Sequence, residues 1–196
     1  MTATSLRLVA HGHTAALRRA RFGRADDGLD EGGLRAALAQ AGPERRGHLG
    51  VTDTCLSSPA AAARQTADAL GLLPTIEEAL ADCDYGDWSG RSLEEVAGTR
   101  QRALRDWLST PDSAPHGGES VTAVRDRVGR WLDGQRDAGR RIVAVTHPLV
   151  IRVAVVHALG LPTAAYRQVD VEPLAIVRLT SQGTRWQLRL AGPAAG

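Results

Sequence analysis

Two stretches decide the fold: Leu6-Arg7-Leu8-Val9-Ala10-His11-Gly12 near the start of the chain and Arg141-Ile142-Val143-Ala144-Val145-Thr146-His147-Pro148 near its end. Each is a short apolar run that stops at a histidine followed by a turn-forming residue. Such a run reads as a buried strand opening into a loop. The segments between them alternate. Asp30 to Ala41 has helical spacing and is closed by Gly42-Pro43. Val51 to Ser57 reads as a second strand, and Pro59 opens an Ala-rich helix that runs to Gly71. Ile76 to Gly90 is irregular, and Ser92 to Leu108 reads as one or two helices. After a loop over Pro111 to Gly118, a long amphipathic helix spans Glu119 to Arg136. A further helix follows His147 to Gly160, and the segments around Ile176 and Trp186 alternate like strands. Strands alternating with helices predict an α/β fold, a three-layer α/β/α sandwich on a mostly parallel central sheet.

The chain has 196 residues, the size of one domain with a substantial core. There is neither a repeat nor a linker to divide it, so residues 1–196 are expected to form a single domain, with residues 193–196 as a frayed tail. Aromatic residues are only 4%, with Phe22 the single phenylalanine, so Leu, Val and Ala must fill most of the core. Trp88 is expected to pack its loop against the body, and Trp107 and Trp131 to lie in core or interface. A net charge of +2 on scattered arginines is too small to argue for nucleic-acid or membrane partners, and a small-molecule ligand is expected instead. A homo-oligomer is left open. Cys55 and Cys83 form no paired motif. Cys55 is expected to be a buried thiol and Cys83 a small residue tolerated in a loop. No secretory pattern or membrane-length run is visible, which gives a cytoplasmic expectation.

In open α/β sheets functional groups gather beyond the carboxyl ends of strands. His11 and His147 stand at two such ends, so they are expected to share one pocket. The surrounding residues resemble the histidine phosphatase superfamily, the phosphoglycerate mutase-like proteins. Where that family reads Arg-His-Gly-Glu-Thr, this chain has Ala10-His11-Gly12-His13-Thr14. The helix start Leu-Thr-x-x-Gly corresponds to Leu29-Asp30-Glu31-Gly32-Gly33. Ser-Pro-Leu-x-Arg-Ala-x-Gln-Thr-Ala corresponds to Ser58-Pro59-Ala60-Ala61-Ala62-Ala63-Arg64-Gln65-Thr66-Ala67. An acidic loop corresponds to Leu80 through Gly90, and a Gly-Glu-Ser segment to Gly118-Glu119-Ser120.

The resemblance implies that His11 is the nucleophile, that Asp82 is the acid protonating the leaving oxygen, and that His147 supports the transferring group. It implies no required cofactor. It also implies two phosphate-clamping arginines at positions 10 and 62, where this chain has Ala10 and Ala62. Arginine suits that task because its planar fork makes paired, charge-assisted hydrogen bonds. Arg64 lies two residues on, about 200° around a helix, and should point away. Arg21 and Arg152 are read as solvated or structural. His13, His116 and Thr14 are mapped to the pocket or its rim as substrate contacts. A divalent transition metal on His11, His13, His116 and His147 is an alternative to the plain reading of His13 and His116 as rim residues. His48 and His157 read as a loop and a helix residue. The expected function is an enzyme that uses His11, Asp82 and His147 on a non-phosphate or weakly anionic small molecule. The alternatives are a slow phosphomonoester hydrolase with a replaced anion clamp, and a metal- or metabolite-binding module without turnover.

Overall fold

A computed structural model of the chain describes residues 3–41, 49, 51–181, 183 and 185–190. The tail at 193–196 and His48 lie outside them. Six strands form one sheet: β1 (Thr4–Ala10), β2 (Thr54–Ser57), β3 (Thr75–Ile76), β4 (Arg141–Thr146), β5 (Ile176–Ser181) and β6 (Trp186–Arg189). Their order across the sheet is β3-β2-β4-β1-β5-β6. The pairs β3-β2, β2-β4 and β4-β1 are parallel, whereas β1-β5 and β5-β6 are antiparallel. The helices are α1 (Ala15–Arg18), α2 (Glu31–Ala39), α3 (Ala61–Ala69), α4 (Leu93–Ser109), α5 (Val121–Gln135) and α6 (Pro148–Ala158).

The layering follows from the alternation of strand side chains between the two faces. Leu6, Leu8 and Ala10 of β1 and Ile142 and Ala144 of β4 pack with α5 and α6, through Val128, Leu132, Val150 and Ile151. Their neighbours Val9, Val143 and Val145 pack with Ala63 and Ala67 of α3. Helices therefore cover both faces. The β1-β4 register pairs Ala10 with Thr146, so these two strands end level with each other. The next residue on each is a histidine. A smaller aromatic cluster of Phe22, Trp88, Val96 and Leu104 lies apart from the sheet.

Boundaries shift where caps decide them. The side chains of Asp30, Ser92 and Ser120 accept from backbone N–H groups of the first turns of α2, α4 and α5, each worth about 1 kcal/mol. Ser92 and Glu95 close a full capping box. Helix α4 is interrupted at Arg100, whose backbone is non-helical (φ −139°, ψ 43°), so the span consists of two helical stretches joined at a kink. Pro59 does not occupy the first turn of α3; Ala60 is the N-cap, so Pro59 precedes the helix. The second strand begins at Thr54 rather than Val51, and the irregular stretch opens on the last residue of β3, Ile76. Helix α1 was not foreseen, being too short to show a period. The cysteines exchange roles: Cys83 is buried and Cys55 only half-buried. Among the described residues no helix is long and apolar enough to cross a membrane.

Candidate active site

The level ends of β1 and β4 set two imidazoles side by side. The His11 backbone N–H donates to the Thr146 carbonyl at 2.9 Å, which continues the sheet by one rung. The His11 and His147 rings meet edge to face with centroids 5.0 Å apart. His11 Nδ1 lies 2.7 Å from the Gly12 carbonyl oxygen. A carbonyl only accepts, so Nδ1 carries the proton and Nε2 keeps its lone pair. Burial first, and the neighbouring His147 second, lower the His11 pKa to about 4. His147 is pushed down to about 3, by burial and then by Arg127. Both rings are therefore neutral at physiological pH. Thr66 of α3 stiffens the loop between them: its hydroxyl donates to the Ala62 carbonyl at 2.7 Å and accepts the Gly12 N–H at 3.0 Å.

Asp82 completes the group. Its Oδ2 lies 3.6 Å from His147 Nδ1. It follows a 3-10 turn over Glu78–Leu80 rather than a strand end. Burial raises its pKa against the lowering effect of the Cys83 N–H, which donates to Oδ1 at 2.9 Å. Asp82 thus holds its proton more tightly than an ordinary carboxyl, as a general acid must. Arg127 on α5 anchors the loop. Its guanidinium donates to the carbonyls of Ala79, Ala81 and Asp82 and to both carboxylate oxygens of Glu119. The Gly118-Glu119 segment crosses the same loop so closely that a Cβ on Gly118 would meet the Asp84 carbonyl oxygen at 2.0 Å.

His11, Asp82 and His147 line one cleft of about 490 Å³, together with Thr14 and Ala62. The Thr14 hydroxyl also caps α1, accepting from Leu17 N–H at 3.1 Å. The other expected contacts do not reach this cleft. Ala10 is fully buried, its methyl on the α5/α6 face of the sheet. His116 is 1% exposed, and its ring packs against Trp88 and Tyr85 while Nδ1 accepts the Gly118 N–H. The family resemblance placed its segment near the substrate entrance; packing against the aromatic cluster draws the ring under the acidic loop instead. His13 does not line the cleft either. The chain passes so tightly over Gly33 that a Cβ there would meet the His13 carbonyl at 2.2 Å. Among the described residues no group of three or more His, Cys, Asp and Glu is placed to hold a metal ion.

Three cationic side chains lie on the cleft wall: Arg21, Arg24 and Arg152. Arg21 donates to the Gly90 carbonyl and pairs with Glu95, and Arg152 pairs with Asp170. Arg24 lies over Gly90 and, among the described residues, makes no side-chain hydrogen bond or ion pair. Arg64 is exposed and does not line the cleft. Sequence reasoning missed Arg24, whose position in an irregular stretch carries no periodic signal. It also missed Ser58, whose hydroxyl lies 2.8 Å from His147 Nε2. The placement of Ser58 directly after the end of β2 was the available clue.

Comparison with known proteins agrees with this geometry. The family model of the histidine phosphatase superfamily (branch 1) matches residues 6–192. The chain belongs to the histidine phosphatase superfamily. Among superfamily relatives, a probable phosphoglycerate mutase of Salmonella newport is 31% identical over 188 residues, covering 91% of this chain and 86% of that protein. A bifunctional protein of Mycobacterium tuberculosis is 32% identical over 194 residues, covering 93% of this chain and 52% of that protein. The chain thus spans about half the length of that relative. Among solved structures, a mycobacterial glucosyl-3-phosphoglycerate phosphatase superposes with a TM-score of 0.82 at 26% identity, covering 95% of this chain and 97% of the other. Relatives of this superfamily member include a phosphoserine phosphatase and probable phosphoglycerate mutases.

Proposed function

We propose that the cleft is a hydrolytic active site for a small molecule whose reacting group carries less negative charge than a phosphate monoester. The observation that carries the reading is the cleft floor. A neutral His11 with a free Nε2 and an Asp82 whose pKa burial raises stand beside Ala62, which offers the cleft only a methyl group, while position 10 places a buried methyl in the core and no cation in the cleft. His11 Nε2 attacks the reacting centre, Asp82 gives its proton to the leaving oxygen, and His147 backs the transferring group. Phosphoryl transfer needs positive charge at the transferring oxygens more than anything else a protein supplies. Each missing donor costs a factor on the order of a hundred to a thousand. A second reading draws support from the wall: Arg21, Arg24 and Arg152 line the cleft and could serve a slow phosphomonoester hydrolase.

Restoring the clamp separates the two. Ala62 lines the cleft, so Ala62→Arg has open space before it. Ala10 is buried, and Arg there risks overpacking of about 1–3 kcal/mol. Hydrolysis of 4-nitrophenyl phosphate should rise in Ala62→Arg, and by orders of magnitude in a folded Ala10→Arg, Ala62→Arg double variant. The proposal is overturned if the native protein already turns over that ester at about 1–1,000 per second and loses the activity in His11→Ala. It is equally overturned if well-folded variants gain nothing.

A further inference from the structure

The cleft is much larger than its reacting floor, and its mouth differs in character. Leu17 of α1, Leu93 at the start of α4 and Leu108 near its end all line it. They are 42%, 40% and 48% exposed. Exposed leucines are unremarkable when scattered. Here three of them, from distant parts of the chain, converge on one opening beside Phe22 and Trp107. The two rings are already fixed: their centroids are 5.5 Å apart, edge to face. Phe22 in turn rests on Trp88 and Tyr85. The antiparallel bridge between Arg21 and Ser92 ties the Phe22 segment to the start of α4. The apolar wall is therefore assembled by packing between distant segments rather than left as a chance patch.

We infer that the mouth is a specificity subsite for an apolar, aromatic or branched body attached to the group that reacts at His11. Two facts favour a substrate part as its occupant. The mouth and the reacting floor belong to one continuous cleft. A volume of about 490 Å³ also falls within the ~300–1,000 Å³ of sites that enclose whole small molecules. A small, highly charged substrate would leave these leucines in water after binding. An apolar body covers them, and that burial supplies affinity remote from the chemistry. The inference rests on the reading of His11 as the reacting centre, but its test does not need turnover.

The probe is 2-naphthoate, with acetate as a comparison of equal charge and no apolar body. Calorimetric titration of the native protein should show one 2-naphthoate bound at least tenfold more tightly than acetate. Leu17→Ser and Leu108→Ser should each weaken it by about three- to tenfold, the value of covering the half of a leucine side chain that the free protein leaves exposed. Both positions are half-exposed in the free protein, so folding should survive the changes. Leu73→Ser, far more exposed and not on the cleft, should change nothing. If 2-naphthoate binds no better than acetate, or binds equally well to both mouth variants, the subsite is overturned. If binding behaves as expected while no ester tried depends on His11, the reacting-centre reading fails and the subsite stands.

Discussion

Acidification should destabilise this protein through its histidine pair, by an amount the site geometry sets. In the unfolded chain His11 and His147 titrate near the ordinary value of about 6.5. In the fold they are held down to about 4 and about 3. The unfolded state therefore binds more protons across the window between, and stability falls as pH falls. The contribution is intact above pH 6.5 and drains away toward pH 4. From pH 7 to pH 5 each histidine costs about 2 kcal/mol, from about 1.4 kcal/mol per unit of divergence. Other groups bear on the sum. His116 is also lowered by burial and adds in the same sense. Asp82 is raised, so its proton uptake in the fold offsets part of the loss. Arg127 is held by Glu119 and loop carbonyls. A net loss of about 2–4 kcal/mol is a large share of the ~5–15 kcal/mol that domains possess. Urea unfolding midpoints at pH 7, 6 and 5 measure it directly. In His11→Gln, which cannot titrate there, the dependence should shrink by nearly half. A midpoint independent of pH, or an undiminished dependence in the variant, would refute the claim that both rings are buried neutral.

Three further outcomes test the scaffold around the site. Thr66→Val removes the acceptor of the buried Gly12 N–H; it should cost about 1–3 kcal/mol in thermal unfolding and lower any His11-dependent rate. Gly118→Ala drives a methyl into the Asp84 carbonyl; it should loosen the acidic loop, seen as faster amide exchange at residues 82–87 with the sheet unchanged. Burial lifts the thiol of Cys55 to about 11 and that of Cys83 further; both should resist iodoacetamide at pH 8 in the native protein and react readily in urea.

The layers, the sheet strands of ordinary length and the pair of histidines were legible in the sequence because each rests on a local signal. Apolar runs ending in His-Gly and His-Pro are visible by eye, and parallel pairing of their strands brings the ends level. What escaped depends on contacts between distant segments. The two-residue β3 exists only by pairing with β2. Thr14 and Asp82 lie where motif matching put them, but His13, His116 and Ala10 do not line the cleft. Motif order fixes position along the chain, not the direction of a side chain. His116 turned toward an aromatic cluster whose members, Trp88 and Tyr85, lie on another loop. The exchange between Cys55 and Cys83 has the same origin: an apolar neighbourhood in sequence is not burial in space.

The kink at Arg100 carries a consequence for how such a cleft can change over time. His11 and His147 follow the level ends of β1 and β4 in the middle of the sheet. Trp107 and Leu108 stand on the stretch of α4 beyond the kink, where the helix takes its own direction. Drift in that outer stretch can widen, narrow or recharge the opening without disturbing a single reacting atom. On the proposed reading, the reacting group and the wall that selects its substrate stand on separate elements of one small chain, so the second can be altered while the first is kept.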